Sequence, residues 1–378
     1  MPPAVRVDVH RPDLQKFSGA RVVVAMSGGV DSSVAAMLLV EAGCAVVGVT
    51  MKLWNTDELG DNADNDSRCC SADTLCDART VARRANFPFL TIDSSEDFSR
   101  EVIADFVREY QAGRTPNPCV VCNAQIKWPV LEAHARKINA DFVATGHYAR
   151  IELDAGRNNP RLLRGIDDNR DQSYFLWSIS PSLLRKTVFP LGSLTKDHVR
   201  HLAREFGLPN AERPESREVC FVTDDNYGRF LREQAGLHPI PGDLIDQSGK
   251  IVGRHQGVPF YTIGQRKGIG AHGVPAYVTA LDPQTNTVHI GPNERLMRRE
   301  CFVTDINWVS IEPPAQPFSA TVKIRYRHDA APAQLSLHDG AVRIVFAAPQ
   351  RAITPGQSAV FYDGDIVLGG GRIERVLA

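Results

Sequence analysis

The sequence predicts an α/β N-terminal domain with a doubly wound parallel sheet, then a small β-rich central domain and a C-terminal β-barrel. As far as about residue 145, short β-branched apolar runs alternate with helical patterns. After about residue 227 helical periodicity fades, and glycine and proline interrupt the chain every few residues. Alternating runs separated by turn residues then follow, which is typical of small β domains and barrels.

Apolar runs in the N-terminal part predict parallel strands covered on both faces, because these runs are apolar throughout rather than alternating. The predicted strands are Arg21–Ala25, Ala45–Met51, Phe89–Ile92 and Phe142–Thr145. The predicted helices between them are Asp31–Ala42, Ala72–Ala85, Glu96–Ala112 and Asn123–Asn139. A hairpin is predicted over Arg150–Pro160 and a further strand at Val188–Leu191.

Alternating runs predict the strands of the C-terminal part. They are Tyr277–Leu281, Thr287–Ile290, Ala320–Arg325, Ala341–Phe346 and Ser358–Phe361. A chain of 378 residues predicts two or three domains, and this change of pattern favours three. We expect an extension over 1–19, an α/β domain over 20–225, a central β-rich domain over 226–296 and a barrel over 297–378.

Composition excludes several classes of protein. With 43% hydrophobic and 23% charged residues, the chain is not disordered. It has no uninterrupted run of about 18 apolar residues, and its first residues lack the apolar core of a secretion signal. Eight cysteines are too few for a secreted disulfide scaffold, so a cytoplasmic protein without a membrane partner is expected. The net charge of −1 leaves any nucleic-acid site to local basic stretches.

The sharpest local signal is Met26-Ser-Gly-Gly-Val-Asp-Ser-Ser33, which follows the first strand and opens the first helix. Two glycines let the backbone approach an anion, while serine hydroxyls and the N–H groups of a helix start donate to phosphate oxygens. Asp31 is predicted either to hold Mg²⁺ or to cap the helix. The string lacks the Walker A pattern, so it predicts a different nucleotide loop.

The cysteines fall into groups by position. Cys44 and Cys301 border apolar strands and are expected in the core. Cys69, Cys70 and Cys76 lie in or after an acidic loop, where structural thiols are favoured over a second metal site.

Cys122 ends a proline-rich loop that is predicted to lead into a helix. From Tyr110 to Leu131 there is no acidic residue, while Arg114 and Lys127 are present. A thiol near a helix start in a cationic setting is expected to have a lowered pKa and to act as a nucleophile.

The string SGGVDSS resembles the PP-loop signature of ATP pyrophosphatases, which cleave ATP between the α and β phosphates. Together with TPNPCVVCNAQIKW, ATGHYAR, RDQSYFLW, SREVCFV and HQGVPFYTIGQRKGIG, it makes the chain similar to the tRNA-specific 2-thiouridylase family. The later strings VKIRYRH and TPGQSAVFY fit the same family, so the resemblance runs from about residue 20 to the C-terminus. It implies that residues 20–225 form an adenine nucleotide alpha hydrolase-like catalytic domain and that the central domain over 226–296 binds tRNA.

The resemblance implies that ATP adenylates O2 of the wobble uridine in certain tRNAs and that sulfur then replaces AMP. Cys220 would accept a persulfide from an upstream sulfur carrier or a cysteine desulfurase. Cys122 would form a disulfide with Cys220 as the sulfur is released. Cys119 stands where many members of the family have an aspartate that is suggested as a general acid or base.

The resemblance also assigns binding residues. ATP would contact Ala25, Met26, Ser27, Gly28, Gly29, Val30, Asp31, Ser32, Met51 and Gly146. The tRNA would contact Asn117, Pro118, Cys119, His147, Arg170, Asp171, Gln172, Arg325, Tyr326 and Gln357.

Alternatives remain open at the level of sequence. Three thiolates at Cys119, Cys122 and Cys220 suit a [4Fe–4S] cluster whose unique iron could bind sulfide. The chain could instead be a PP-loop amide ligase acting on a small metabolite, in which case Cys122 and Cys220 would be dispensable. A non-catalytic tRNA-binding or iron–sulfur carrier protein is a third reading.

Basic stretches predict where RNA would bind. Residues 247–281 contain Lys250, Arg254, Arg266 and Lys267 and no acidic residue. Phe260 and Tyr261 stand among these cations, an arrangement that suits phosphate contacts and base stacking. Further along, Lys323, Arg325 and Arg327 alternate and are expected on one face of a strand.

Overall fold

The computed structural model describes residues 11–54, 72–153, 159–213, 219–222, 226–271 and 273–377. The α-helices are α1 Val30–Glu41, α2 Ala72–Arg84, α3 Ser95–Phe98, α4 Ala104–Gln111, α5 Pro118–Cys122, α6 Trp128–Lys137, α7 Pro181–Leu184, α8 Lys196–Glu205 and α9 Tyr227–Glu233. Single π-helical turns cover Ser99–Ile103 and Asn123–Lys127.

The strands are β1 Arg21–Ala25, β2 Ala45–Lys52, β3 Phe89–Asp93, β4 Phe142–Ala144, β5 Ala149–Glu152, β6 Arg161–Arg164, β7 Thr187–Val188, β8 Gly242–Ile245, β9 Ile251–His255, β10 Tyr277–Asp282, β11 Thr287–Gly291, β12 Met297–Asn307, β13 Phe318–Lys323, β14 Ala331–His338, β15 Ala341–Arg351, β16 Ser358–Asp363 and β17 Ile366–Val376. The chain divides into two compact units. The first comprises Met1–Glu96, Ile126–Ser173 and Ile179–Cys220, and the second comprises Asp97–Gln125, Tyr174–Ser178 and Phe221–Ala378.

The first unit contains the predicted parallel sheet, with strand order β3-β2-β1-β4-β7. Its central strand β1 pairs in parallel with both β2 and β4, and Val22, Val23 and Val24 are fully buried. Helix α1 is apolar almost all round and therefore buried, with Val34 and Ala35 in the core beside the sheet. In an open parallel sheet ligands bind beyond the carboxyl ends of the strands, and α1 begins at the carboxyl end of the central strand.

The second unit holds two β structures. In the central sheet, β10-β11-β8-β9, the pair β8 and β11 is parallel and the other pairs are antiparallel. The barrel is antiparallel, with order β12-β15-β14-β13-β16-β17, and it closes through the pairing of β12 with β17. Its interior is filled by alternating apolar residues, including Val303, Leu335 and Ile344. The predicted fold class is confirmed.

Several element predictions are wrong in detail. The helix expected from Asn123 begins at Pro118, because a proline is favoured in the first turn of a helix. The strand expected at Val188–Leu191 is confined to β7, and Phe189 already begins a turn. The hairpin is formed by β5 and β6, so its second strand lies beyond the predicted end at Pro160.

Some predictions fall on residues outside the described ranges. These are Cys69, Cys70 and most of the acidic loop before α2, the first ten residues of the extension, and residues 216–218 in the string before Cys220. Across the ranges that the structure does describe, no helix combines the length and the apolar character needed to cross a bilayer.

Candidate functional site

The glycine–serine loop connects β1 to α1 in the first unit, as predicted. The backbone N–H of Ser27 donates to Ser32 Oγ at 3.1 Å, and Ser32 Oγ in turn donates to the Gly29 carbonyl at 3.1 Å. Ser33 Oγ makes the same contact with the Gly29 carbonyl at 3.1 Å. These bonds fold the loop back on the first turn of α1, so that the helix start faces the carboxyl edge of the sheet.

Gly28 is held in a conformation that only glycine adopts readily. Its φ angle is +80°, and a Cβ atom built there would lie 2.1 Å from the carbonyl oxygen of Thr74 on α2. On the other side, Asn210 Nδ2 donates to the Gly28 carbonyl at 2.7 Å and to Ser33 Oγ at 3.0 Å. Asn210 is only 2% exposed, so the loop is clamped between α2 and the turn after α8.

Gly146 and Met51 close the same edge of the sheet. A Cβ atom at Gly146 would lie 2.8 Å from the backbone nitrogen of Ser32, so the chain after β4 passes directly against the start of α1. Met51 is buried near the carboxyl end of β2. The predicted ATP contacts in the loop, at Met51 and at Gly146 thus belong to three adjoining strand ends.

Asp31 has protein partners at both carboxylate oxygens. The ammonium Nζ of Lys196 donates to Oδ1 at 2.7 Å and to Oδ2 at 2.9 Å, and the Tyr148 hydroxyl donates to Oδ1 at 2.8 Å. A carboxylate offers about four lone-pair sites, and three are used here. This donor set does not fit the Mg²⁺ ligand that the sequence suggested, because an ammonium occupies the position of the cation.

His147 follows β4 and lies in an aromatic enclosure. Its ring is 5.6 Å from Trp128 and 6.2 Å from Phe189, centroid to centroid, and Nδ1 lies 2.8 Å from the Thr145 hydroxyl. Burial lowers the pKa of His147, and the nearby Lys127 ammonium lowers it further. The imidazole is therefore neutral at physiological pH and would meet a ligand through hydrogen bonds or stacking rather than through charge.

The lowered pKa of His147 predicts a loss of stability in acid. The imidazole takes up a proton near pH ~6.5 in the unfolded chain but only at lower pH in the folded chain. The contribution of His147 to the free energy of unfolding is therefore complete above pH ~6.5 and is lost as the pH falls. We expect the free energy of unfolding of wild type to fall by about 2 kcal/mol more than that of His147→Gln between pH 7 and pH 5. Burial also lowers the pKa of His255, so the comparison uses the difference between the two proteins. Equal losses of unfolding free energy in the two proteins, measured by urea unfolding over this pH range, would contradict the neutral state assigned to His147.

Cys119 and Cys122 are three residues apart on α5 in the second unit. Asn117 precedes the helix and Pro118 occupies its first turn. Cys119 is partly exposed, whereas Cys122 is 5% exposed at the last residue of α5. The expectation that Cys122 precedes a helix is wrong, because the helix already begins at Pro118.

The loop before α5 is fastened to the barrel strands of the same unit. Gln357 Nε2 donates to the carbonyls of Thr115 and Pro116 at 3.1 and 2.9 Å. The N–H of Thr115 donates to the Pro355 carbonyl at 2.9 Å. A Cβ atom at Gly356 would lie 2.7 Å from the Thr115 carbonyl oxygen. The Gln357 amide, which we predicted to contact tRNA, thus supports the loop that leads into α5, the helix that carries both cysteines.

Arg114 does not provide the unbalanced positive charge that its stretch of sequence suggests. Its guanidinium pairs with Glu109 at 2.8 Å and with Glu374 at 2.9 Å. Glu109 also pairs with Arg372 at 3.1 Å. The acidic partners come from outside the acid-free stretch, so the charge seen along the sequence is compensated in the fold.

Cys220 is partly exposed and lies at the end of the first unit. The next residue, Phe221, is buried among the aromatic rings of Phe98, Phe106 and Phe230 in the second unit. Within the described ranges, no three His, Cys, Asp or Glu side chains form a group that could hold a metal ion.

Of the segment Arg170–Gln172, two side chains serve the fold. Asp171 is 3% exposed and accepts hydrogen bonds from the N–H groups of Gly165 and Ser173 at 3.1 and 3.0 Å. Gln172 Oε1 accepts from the Tyr148 N–H at 3.0 Å. Arg170 is partly exposed, so an RNA contact by this segment would depend on Arg170.

The expected basic face of a strand at Lys323, Arg325 and Arg327 is wrong. Strand β13 ends at Lys323, and the chain then turns, so alternation no longer places side chains on one face. Arg325 is drawn inward, where it donates to the Ile263 carbonyl at 3.1 Å and to the Thr354 hydroxyl. The Tyr326 ring lies 4.5 Å from Phe175, and the Lys323 ammonium lies 5.5 Å from its centroid.

In the basic stretch 247–281, the aromatic residues are less available than the sequence suggests. Tyr261 is 3% exposed, belongs to the core of the central sheet and donates its hydroxyl to the Gly268 carbonyl at 3.0 Å. The prediction that the Tyr261 ring stacks on an RNA base is therefore wrong. The Arg232 guanidinium lies 3.9 Å from the centroid of Phe260. Arg266 and Lys267 are exposed.

Lys196 and Asn210 are site residues that sequence reasoning missed. Both lie in or just after α8, far along the chain from the loop that they contact. No local motif surrounds either of them. Only the fold, which packs α8 beside α1 in one core, brings them to the loop.

Family models match the chain in three consecutive parts. The tRNA methyl transferase HUP domain matches residues 20–224, the tRNA methyl transferase PRC-barrel domain matches 228–292, and the aminomethyltransferase beta-barrel domain matches 298–373.

Relatives named tRNA-specific 2-thiouridylase MnmA align over almost the whole chain. The Geotalea uraniireducens protein is 48% identical over 364 residues, which is 94% of this chain and 96% of the relative. The Heliobacterium modesticaldum protein is 49% identical over 360 residues, covering 94% and 93% of the two chains. The Clostridioides difficile protein is 42% identical over 363 residues, covering 96% and 100%. The chain belongs to the tRNA-specific 2-thiouridylase family.

Proposed function

We propose that this tRNA uridine 2-sulfurtransferase activates O2 of the wobble uridine with ATP and then replaces that oxygen with persulfide sulfur. The observation that carries the proposal is the clamped loop between β1 and α1. Gly28, Asn210 and the serine hydroxyls fix the backbone of this loop at the carboxyl edge of the sheet. Membership of the tRNA-specific 2-thiouridylase family supports tRNA as the substrate and ATP as the nucleotide that this loop binds.

In the first step, the uridine O2 attacks the α-phosphorus of ATP and pyrophosphate leaves. The loop N–H groups and the start of α1 would hold the phosphate oxygens, because a helix N-terminus favours anions. Mg²⁺ would neutralise phosphate charge when it is bound, and Asp31 is not among its ligands in this proposal. The product is an O-adenylated uridine, in which AMP has become a good leaving group.

In the second step, the terminal sulfur of a Cys220 persulfide attacks C2 and AMP leaves with the former O2. This forms a disulfide between the nucleoside sulfur and Cys220. The Cys122 thiolate then attacks Cys220 Sγ, releasing 2-thiouridine and leaving a Cys122–Cys220 disulfide. An external thiol reductant and a new persulfide from a sulfur carrier or a cysteine desulfurase complete the cycle.

A [4Fe–4S] cluster on Cys119, Cys122 and Cys220 is the second candidate for sulfur delivery. The observation that favours it is the pair of cysteines three residues apart on α5. Such a cluster would bind sulfide at its unique iron and would need no disulfide in the cycle. Cys119 would then be a ligand rather than a proton shuttle.

We also propose how tRNA is held. Exposed Arg266 and Lys267 of the central domain, together with Arg170, would contact phosphates, since such contacts provide most of the affinity for RNA. Asn117, Pro118 and Cys119 would face the target base, with His147 and Tyr326 beside the anticodon nucleotides. The proposed domain limits are 20–225, 226–296 and 297–378.

The experiment that tests sulfur delivery is a reconstituted reaction. Protein purified without oxygen is split into an iron-containing and an iron-free sample, and each receives unmodified tRNA, ATP, Mg²⁺ and a protein persulfide donor. We expect the iron-free sample to form 2-thiouridine at the same rate, with one AMP per thiolated nucleoside. Thiolation found only in the iron-containing sample would contradict the persulfide route in favour of the cluster.

A further inference from the structure

A buried lysine lies beneath the nucleotide loop in the first unit. Lys196 is 6% exposed, and lysine is almost never buried to this extent unless it is paired. Its partner is Asp31, and the Lys196 ammonium lies 2.7 and 2.9 Å from the two oxygens of the Asp31 carboxylate. Because Asp31 is the second residue of α1, this ion pair fixes the first turn of the helix that follows the loop.

The position of Lys196 is itself set by the surrounding fold. Thr195 caps α8 by accepting a hydrogen bond from the N–H of His198, and the N–H of Lys196 donates to Asp167 Oδ2 at 2.9 Å. One turn further, Val199 packs in the same core as α1. The lysine therefore extends from a rigid support toward Asp31.

Tyr148 provides a second support for the same carboxylate. It is buried, and its hydroxyl donates to Asp31 Oδ1 at 2.8 Å. Gln172 fixes the Tyr148 backbone through two hydrogen bonds, at 3.0 and 2.9 Å. Two elements that are distant in sequence thus converge on one carboxylate at the start of α1.

We propose that Lys196 and Tyr148 are positioning residues of the ATP site, which hold Asp31 as an internal counter-ion so that it orients the phosphate loop and does not ligate Mg²⁺. The inference rests on the proposed use of ATP and deepens it. An ammonium that contacts both oxygens repels a second cation at the same carboxylate. The remaining exposure of Asp31 leaves one lone-pair site for solvent.

Removing the buried ammonium leaves the partly exposed Asp31 carboxylate without its counter-ion, so Lys196→Met is expected to disturb the loop through Asp31. We expect its Kd for ATP to rise about tenfold. In the Lys196→Met background, adding Asp31→Asn is expected to raise this Kd by less than about a further twofold. Tyr148→Phe, which removes only one hydroxyl, is expected to weaken ATP binding about threefold. The control Lys186→Met changes an exposed lysine of the same unit and keeps wild-type affinity.

The test combines ATP binding by calorimetry with the Mg²⁺ dependence of thiolation. We expect the half-saturating Mg²⁺ concentration at saturating ATP to be the same in wild type and in Asp31→Asn. This concentration reports on Mg²⁺ ligation, whereas a general loss of structure would lower the rate of thiolation. A several-fold rise of that concentration in Asp31→Asn would overturn the proposal and make Asp31 a metal ligand. An unchanged Kd in Lys196→Met and Tyr148→Phe would also overturn it.

Two further outcomes separate the inference from the function beneath it. If wild type itself does not bind ATP, the proposed function fails before Lys196 is tested. If Lys196→Met does not fold, as judged by its far-ultraviolet circular dichroism, Tyr148→Phe decides. Wild-type ATP affinity in Tyr148→Phe would then overturn the proposal.

Discussion

Replacing Gly28 by alanine is expected to abolish ATP binding, with a loss of affinity of about a hundredfold or more. The new Cβ atom would lie 2.1 Å from the Thr74 carbonyl oxygen and 2.6 Å from its carbon, which are backbone atoms of a helix and cannot turn aside. The residue must also keep a φ angle of +80°, which costs alanine about 1 kcal/mol. Relief of the clash would move the loop away from Asn210.

The neighbouring Gly29→Ala is the matched control for this prediction. Its φ angle is −75°, and its Cβ atom would have Ser27 Oγ at 3.5 Å as its nearest neighbour, an ordinary contact. We expect Gly29→Ala to lower the unfolding temperature less than Gly28→Ala does, because its Cβ atom meets no backbone atom and only the N-cap of α1 is weakened. Calorimetric ATP titrations of both variants provide the affinity readout. Wild-type ATP affinity in Gly28→Ala would show that the loop is not the phosphate site.

Cys122→Ser and Cys220→Ser are each expected to lower the rate of tRNA thiolation by at least about a thousandfold. Serine preserves the size of the side chain. Its hydroxyl cannot carry the sulfur of a persulfide at position 220, and it cannot attack a disulfide sulfur at position 122. ATP binding is expected to remain, because the phosphate loop is built from other residues. Single-turnover formation of 2-thiouridine, measured by mass spectrometry of digested tRNA, gives the rate.

Cys76→Ser is the control for these cysteine variants, because Cys76 is exposed on α2 and has no place in the proposed cycle. We expect it to thiolate tRNA at the wild-type rate. Cys119→Asp introduces the aspartate that the family resemblance implies at this position, and the persulfide route predicts that this variant stays active. Undiminished thiolation in Cys122→Ser and Cys220→Ser would rule out the persulfide route.

The sequence predicted the parts of the fold that depend on local pattern. The apolar runs at β1 and β2 and the glycine–serine loop between β1 and α1 lie where periodicity and turn chemistry placed them. The start of α5 was missed because proline was taken as part of a loop, although it also opens helices.

Contacts between distant residues could not be predicted from one sequence. Lys196 and Asp31 are 165 positions apart, and Asn210 and Gly28 are 182 positions apart. Charge read along the chain failed for the same reason at Arg114, whose partner Glu374 is 260 positions away on the barrel. Burial likewise removed Tyr261 from the predicted RNA surface, because alternation with basic residues does not reveal which ring fills a core.

The fate of the uridine oxygen tests the central claim most directly. Unmodified tRNA carrying ¹⁸O at O2 of the wobble uridine is incubated with the protein, ATP, Mg²⁺ and a persulfide donor, and the AMP is analysed by mass spectrometry. Adenylation of O2 followed by sulfur attack at C2 predicts one ¹⁸O in the phosphate of each AMP formed per 2-thiouridine. Label recovered in water or pyrophosphate, with unlabelled AMP, would contradict the account.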